Sequence, residues 1–116
     1  MARLQTHTGS LAMAATTWAE LTFGVERLPR GRRRAELERY LRESVLPNFA
    51  VLPFDQEAAS WHGRERARLQ ASGGAAPFEN GQIAAVAATR GLTVVTENVK
   101  DFRVFSDITV VNWCEP

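Results

Sequence analysis

The sequence predicts an α/β fold in which helices alternate with short buried strands of a mostly parallel sheet. Two observations carry this. The runs Leu92-Thr93-Val94-Val95-Thr96 and Ile108-Thr109-Val110-Val111-Asn112-Trp113 are largely apolar or β-branched, as strands covered on both faces are. Between such runs lie longer stretches with apolar residues at three- and four-residue steps, the period of amphipathic helices. Alternation of the two is the pattern of layered α/β domains. With 116 residues and a hydrophobic fraction of 45%, the chain supports one packed core and not two.

Taken in order, residues 1–10 are polar without a period and read as a loose lead. Leu11-Ala12-Met13-Ala14-Ala15-Thr16 follows Gly9-Ser10 and reads as a buried strand. Thr16 or Thr17 is placed to cap a helix over Trp18 to Val25, with Glu20 three residues after Thr17 as a capping box requires. Leu28-Pro29-Arg30-Gly31 is a turn. From Arg33 onward Leu37, Tyr40, Leu41 and Val45 mark an amphipathic helix that ends before Pro47. Phe49 to Phe54 is extended, and Asp55 caps a helix from about Gln56 to Gln70 that stops at Gly73-Gly74. Asn80 caps a further helix through Thr89, with Gly91 at its end.

Bulk properties exclude several classes. A net charge of +1 names no partner by itself. Cys114 is the single cysteine, so neither an internal disulfide nor a thiolate zinc site can form, and a reducing, cytoplasmic setting fits. No apolar run approaches the ~20 residues that span a bilayer, and the first residues lack the order of a secretory signal. The densest positive cluster is Arg27, Arg30, Arg32, Arg33 and Arg34. Cations at a helix start oppose the macrodipole, so helix stability does not explain them. Contact with an RNA backbone does, and a solvated helix start remains the other reading. Arg64, Arg66 and Arg68 with Glu65 read as an exposed helix face. His62 reads as a surface or packing residue, and Trp18, Trp61 and Trp113 as core or interface.

Several motifs occur in one order. Asn80-Gly81-Gln82-Ile83-Ala84-Ala85 precedes the strand Gly91-Leu92-Thr93-Val94-Val95, and Thr96-Glu97-Asn98-Val99-Lys100-Asp101-Phe102 follows it. Upstream stand Thr16-Thr17-Trp18-Ala19-Glu20-Leu21, Gly31-Arg32-Arg33-Arg34 and Leu52-Pro53-Phe54-Asp55. Together these resemble the PIN-domain toxins of the VapC and FitB type over residues 11 to 113. The resemblance implies a three-layer α/β/α domain, incomplete over 11–116 because the first central strand, of the type Leu-Asp-Thr-Asn, is missing. It also implies a Mg²⁺- or Mn²⁺-dependent endoribonuclease, the toxin of a type II toxin–antitoxin system. Its partners would be a small cognate antitoxin, an RNA substrate and a second copy of itself in a dimer.

Hard divalent cations take oxygen ligands, and phosphoryl-transfer sites rest them on a few carboxylates. By resemblance the catalytic positions fall on Glu20, Asn80 and Asp101, with Glu20 and Asp101 as metal ligands and Thr96 and Asn98 in support. Arg30, Arg32, Arg33 and Arg34 are the RNA-binding candidates. Glu20 also has the reading of a capping carboxylate, and Asp101 that of a local turn residue. The family carries aspartate where this chain has Asn80, and an amide brings neither charge nor a base. The resemblance therefore implies an impaired nuclease with weak metal binding. The alternative is an inactive PIN protein that still binds an antitoxin or a dimer partner.

Overall fold

The computed structural model describes residues 2–112, so Trp113 and Cys114 lie outside the described residues. Five strands form one sheet: β1 (Arg3–Gln5), β2 (Leu11–Ala14), β3 (Ala50–Leu52), β4 (Thr93–Thr96) and β5 (Thr109–Asn112), in the order β3-β2-β1-β4-β5. The helices are α1 (Ala15–Glu26), α2 (Arg32–Tyr40), α3 (Gln56–Ala71), α4 (Phe78–Arg90) and α5 (Val99–Phe102). β2–β3 and β4–β5 are parallel ladders, while β1 runs antiparallel to both of its neighbours. The α/β class thus holds, but the sheet is mixed and not mostly parallel, because two parallel pairs are joined by one strand that runs antiparallel to both neighbours.

That middle strand corrects the reading of residues 1–10 as a loose lead. Leu4 pairs with Ala12 on one side and Val94 on the other, and its exposure is 0%. A five-residue connection makes the reversal. Thr6 N–H donates to the Ser10 carbonyl at 3.1 Å, and Gly9 N–H to the Thr6 carbonyl at 3.1 Å. Gly9 sits at φ 90°, where a Cβ is disfavoured. The gap expected between β2 and β4 is therefore closed by the chain's own N-terminal hairpin.

Side chains alternate across a sheet. Ala12, Ala14, Leu4 and Val94 join the core with α4, while Met13 and Val95 on the opposite face are buried as well. Both faces are covered. α4 supplies the centre of that core, with Ile83 to Ala87 all buried. It ends as the sequence predicts: Gly91 takes φ 65°, ψ 35°, and Leu92 N–H reaches the Ala87 carbonyl at 2.9 Å. Asp55 caps α3 by accepting from Ala58 N–H at 3.0 Å.

Other termini differ from the sequence reading. α1 begins at Ala15, directly after β2, so Thr17 is a buried helical residue and no capping box with Glu20 forms. α4 begins two residues before Asn80, which is therefore inside the first turn and not its cap. The second helix closes in a π-helical turn, Leu41–Val45, in which Leu46 N–H bonds the Leu41 carbonyl at 3.0 Å. Pro47 has no N–H with which to continue an α-helix.

α3 and α4 meet at Gly81, where a Cβ would overlap the buried ring of His62. Gly63, on α3, has open space around the same position. Gly81→Ala is expected to lose about 1–3 kcal/mol by overpacking although alanine is the better helix former. Gly63→Ala is expected to gain up to about 1 kcal/mol. Urea denaturation of the two variants checks the pair; equal behaviour would contradict the packing.

Candidate functional site

In open α/β sheets ligands bind beyond the carboxyl ends of the strands. Here those are the ends of β2 at Ala14 and β4 at Thr96, and α1 leaves directly from the first. One turn into α1, Glu20 is exposed and shares a cavity of about 300 Å³ with Ala2, Thr17, Leu21 and Ile83. With the capping box absent, Glu20 is free of that structural role. The cavity brings it beside the start of β1, because the reversed strand presents its N-terminal residues at this end of the sheet. Continuing the ladders by one residue sets Ala2 level with Ala14 and Thr96; Arg3 itself pairs with Val95.

The other predicted positions are spread around this end. Thr96 is buried, and its hydroxyl accepts from Asn98 N–H at 3.1 Å, which turns the chain from β4 into α5. Asp101 is exposed on α5, and Asn80 is half-buried on α4. Neither lines the cavity of Glu20. Among the described residues no three acidic, histidine or cysteine side chains come together as a metal site requires. The residues present therefore do not fit the divalent cation that the resemblance implies: two carboxylates, one neutral amide, and an alanine and arginine at the end of the middle strand.

Gln82 was not singled out by sequence reasoning. Thr16 Oγ1 and Gln82 Oε1 lie 3.1 Å apart and tie the start of α1 to α4. The signal for it is position alone, two residues after Asn80. The arginine candidates divide. Arg34 clasps α1 to α2, with Nη2 on Glu26 at 2.5 Å, Nε on Glu38 at 2.8 Å and Nη1 on the Leu28 carbonyl at 3.4 Å. Arg32 pairs with Glu36 at 3.1 Å. Arg30 and Arg33 are exposed and form no ion pair among the described residues, so they are the candidates that remain open to a phosphate backbone.

On the helix face read as exposed, Arg64, Arg66 and Arg68 are exposed, but Glu65 is not. Glu65 is buried, accepts two bonds at 3.0 Å from Arg68, and accepts the Ser106 N–H at 2.7 Å. Arg68 also donates to the Val104 carbonyl at 2.7 Å. This bracket fixes the segment after α5, and hence the helix that carries Asp101. The arginine hydrogen bonds and the Ser106 amide hold the Glu65 carboxyl down to about 2 against the opposing effect of burial. A depressed carboxyl stabilises the fold above its unfolded value near 4.5, and that contribution is lost as pH falls toward 2. Allowing for the half-exposed Arg68, Glu65→Gln is expected to cost about 2 kcal/mol at pH 7. The gap to the parent should shrink between pH 4.5 and 2, read as urea midpoints across that range.

Comparison with known proteins agrees with this architecture. No protein-family model matches the chain. It is 35% identical over 109 residues to the VapC ribonuclease Y4jK of Sinorhizobium fredii, covering 92% of this chain and 77% of that protein. It is 35% identical over 102 residues to the toxin FitB of Neisseria gonorrhoeae, covering 86% and 73%. Among solved structures, FitAcB from Neisseria gonorrhoeae superposes with a TM-score of 0.81 at 34% identity, over 90% of this chain and 76% of that one. DNA-bound VapBC from Salmonella typhimurium gives 0.75 at 31%, over 87% and 74%. The fold is that of a PIN-domain protein. The chain belongs to the VapC/FitB family of PIN-domain toxins.

Proposed function

We propose that this chain is the toxin-type member of a toxin–antitoxin pair that engages an antitoxin and RNA in the cytoplasm, while its metal-dependent ribonuclease activity is impaired. The observation that carries the second half is the donor set. Glu20 and Asp101 are the carboxylates at the positions that the resemblance implies, Asn80 is neutral, and the middle strand starts at Arg3, after Ala2. Mg²⁺ or Mn²⁺ would be held weakly by two exposed carboxylates.

Two features support partner binding. Solved relatives include toxin–antitoxin complexes, among them FitAB on a DNA fragment and DNA-bound VapBC. In this chain a groove of about 310 Å³ runs between α1 and the second helix, lined by Trp18, Val25, Leu41 and Leu46 together with the charged Glu26, Glu38 and Arg42. Nothing in the loss of acidic ligands touches that groove. An antitoxin-binding surface and a dimer surface can therefore outlast the nuclease centre. For RNA, the support is the pair of uncommitted arginines, Arg30 and Arg33, with the sequence similarity to a named ribonuclease.

Cleavage of a mixed single-stranded RNA in Mn²⁺ tests the reading, with the parent beside Asp101→Ala and the double variant Ala2→Asp/Asn80→Asp. The parent is expected to match Asp101→Ala. The double variant, with two carboxylates added at this end of the sheet, is expected to cleave at least about tenfold faster, as a charge-balanced metal site would. Metal-dependent cleavage by the parent that Asp101→Ala abolishes would contradict the proposed impairment.

A further inference from the structure

A second cavity, of about 160 Å³, lies between α3 and α4, next to the first turn that carries Asn80. A water takes about 30 Å³ of liquid, so this is room for one small ring and not for a helix. Its inner wall is His62, 4% exposed, which α4 admits only because residue 81 is glycine. The imidazole is gripped edge-on by two rings, with Phe54 at 5.9 Å and Phe78 at 4.7 Å. It forms no hydrogen bond among the described residues, which leaves a donor and an acceptor at the cavity wall. Burial first, and the Arg66 cation second, hold its pKa below the usual value, so it is neutral at pH 7.

The rim has a different character. Phe78 is a large aromatic left 48% exposed at the very start of α4. The Arg66 guanidinium lies 4.9 Å from its ring centre, and Gln70 stands one turn further along α3. An exposed ring, a cation, an amide and a neutral imidazole converge on a ring-sized space. Unpaired nucleic-acid bases are held by that combination: aromatic faces stack the base, and arginine takes the backbone charge.

We propose that this cavity seats one unpaired nucleobase of an RNA strand, stacked on Phe78 with its phosphate on Arg66, so that the strand crosses the first turn of α4 past Asn80. The inference rests on the RNA-engaging reading above and names where that engagement is made. Base recognition here needs no metal and survives the altered donor set. A second exposed Phe–Arg pair, Phe23 with Arg27, whose guanidinium carbon lies 5.8 Å from the ring centre, does not line this cavity and serves as a matched control.

The test is fluorescence anisotropy of a labelled single-stranded RNA 12-mer with the full chain in EDTA. The parent is compared with Phe78→Ala, Phe78→Tyr, Arg66→Ala and Phe23→Ala, and circular dichroism checks each fold. Phe78→Ala is expected to weaken binding about 5- to 100-fold, the range of one lost base stack. Arg66→Ala should also weaken it and flatten its salt dependence. Phe78→Tyr should retain affinity, and Phe23→Ala should stay within about twofold of the parent. Adenosine monophosphate, titrated separately by NMR, should shift the amides of Ala76 and Gly81. RNA binding by the parent that neither Phe78→Ala nor Arg66→Ala weakens overturns the cavity proposal and leaves the RNA reading standing. No RNA binding by the parent overturns both. Adenosine monophosphate binding without RNA binding assigns the cavity to a free nucleotide and overturns the strand path.

Discussion

A sheet cannot keep two interior edges unpaired. Every unpaired N–H and C=O at such an edge, once excluded from water, costs about as much as a lost hydrogen bond. β2 and β4 would face each other across that gap, and β1 closes it. Leu4 is the residue that makes the closure favourable. It is wholly buried, it pairs on both sides, and burying a leucine contributes about 1.5–3 kcal/mol. The rest of the core hangs from this arrangement, because Leu4 lies in the same layer as Ala12, Val94 and the buried face of α4.

The direction of β1 then decides the chemistry. A strand parallel to β2 and β4 would bring its last residue to their carboxyl ends. The reversed strand brings its first, and those residues are Ala2 and Arg3. Backbone pairing is indifferent to what the side chain at that level is, whereas a metal site is not. The same separation applies at Asn80, where an amide inside the first turn of α4 leaves the helix intact and removes a charge. Fold and catalytic centre depend on different atoms of the same residues, which is how the proposed impairment can leave the sheet intact. Surfaces that need no metal are untouched: the groove at Trp18 and the cavity at His62.

Much of this was legible in the sequence. The strand before α1 announced itself by an apolar run after Gly9-Ser10 and the strand after Gly91 by apolar, β-branched composition, and Asp55 and Gly91 bounded their helices by cap chemistry that depends only on local backbone. β1 was not legible. Arg3-Leu4-Gln5 contains one apolar residue, too few to show a period, and its burial comes from partners 8 and 90 residues away in sequence. The hairpin left a faint trace at Gly9, whose positive φ is a turn requirement. Glu65 was misread for a related reason. A carboxylate flanked by arginines on a helix looks solvated unless the loop at Ser106 is known to fold over it. His62, read as a surface or packing residue, meets Phe78 only through tertiary packing, so the cavity between α3 and α4 did not stand out.

The central claim is that β1 is an integral strand and not a loose lead. Amide hydrogen exchange at Arg3, Leu4 and Gln5 measures it most directly, because protection reports the free energy of opening each hydrogen bond. The account predicts protection of the β1 amides that face a neighbouring strand close to that of Val94 in β4, and fast exchange at Thr8 and Gly9 in the connecting turn. Exchange throughout Arg3–Gln5 as fast as at Thr8 would show that the N-terminal segment does not close the sheet, and the account of both fold and site would fail with it.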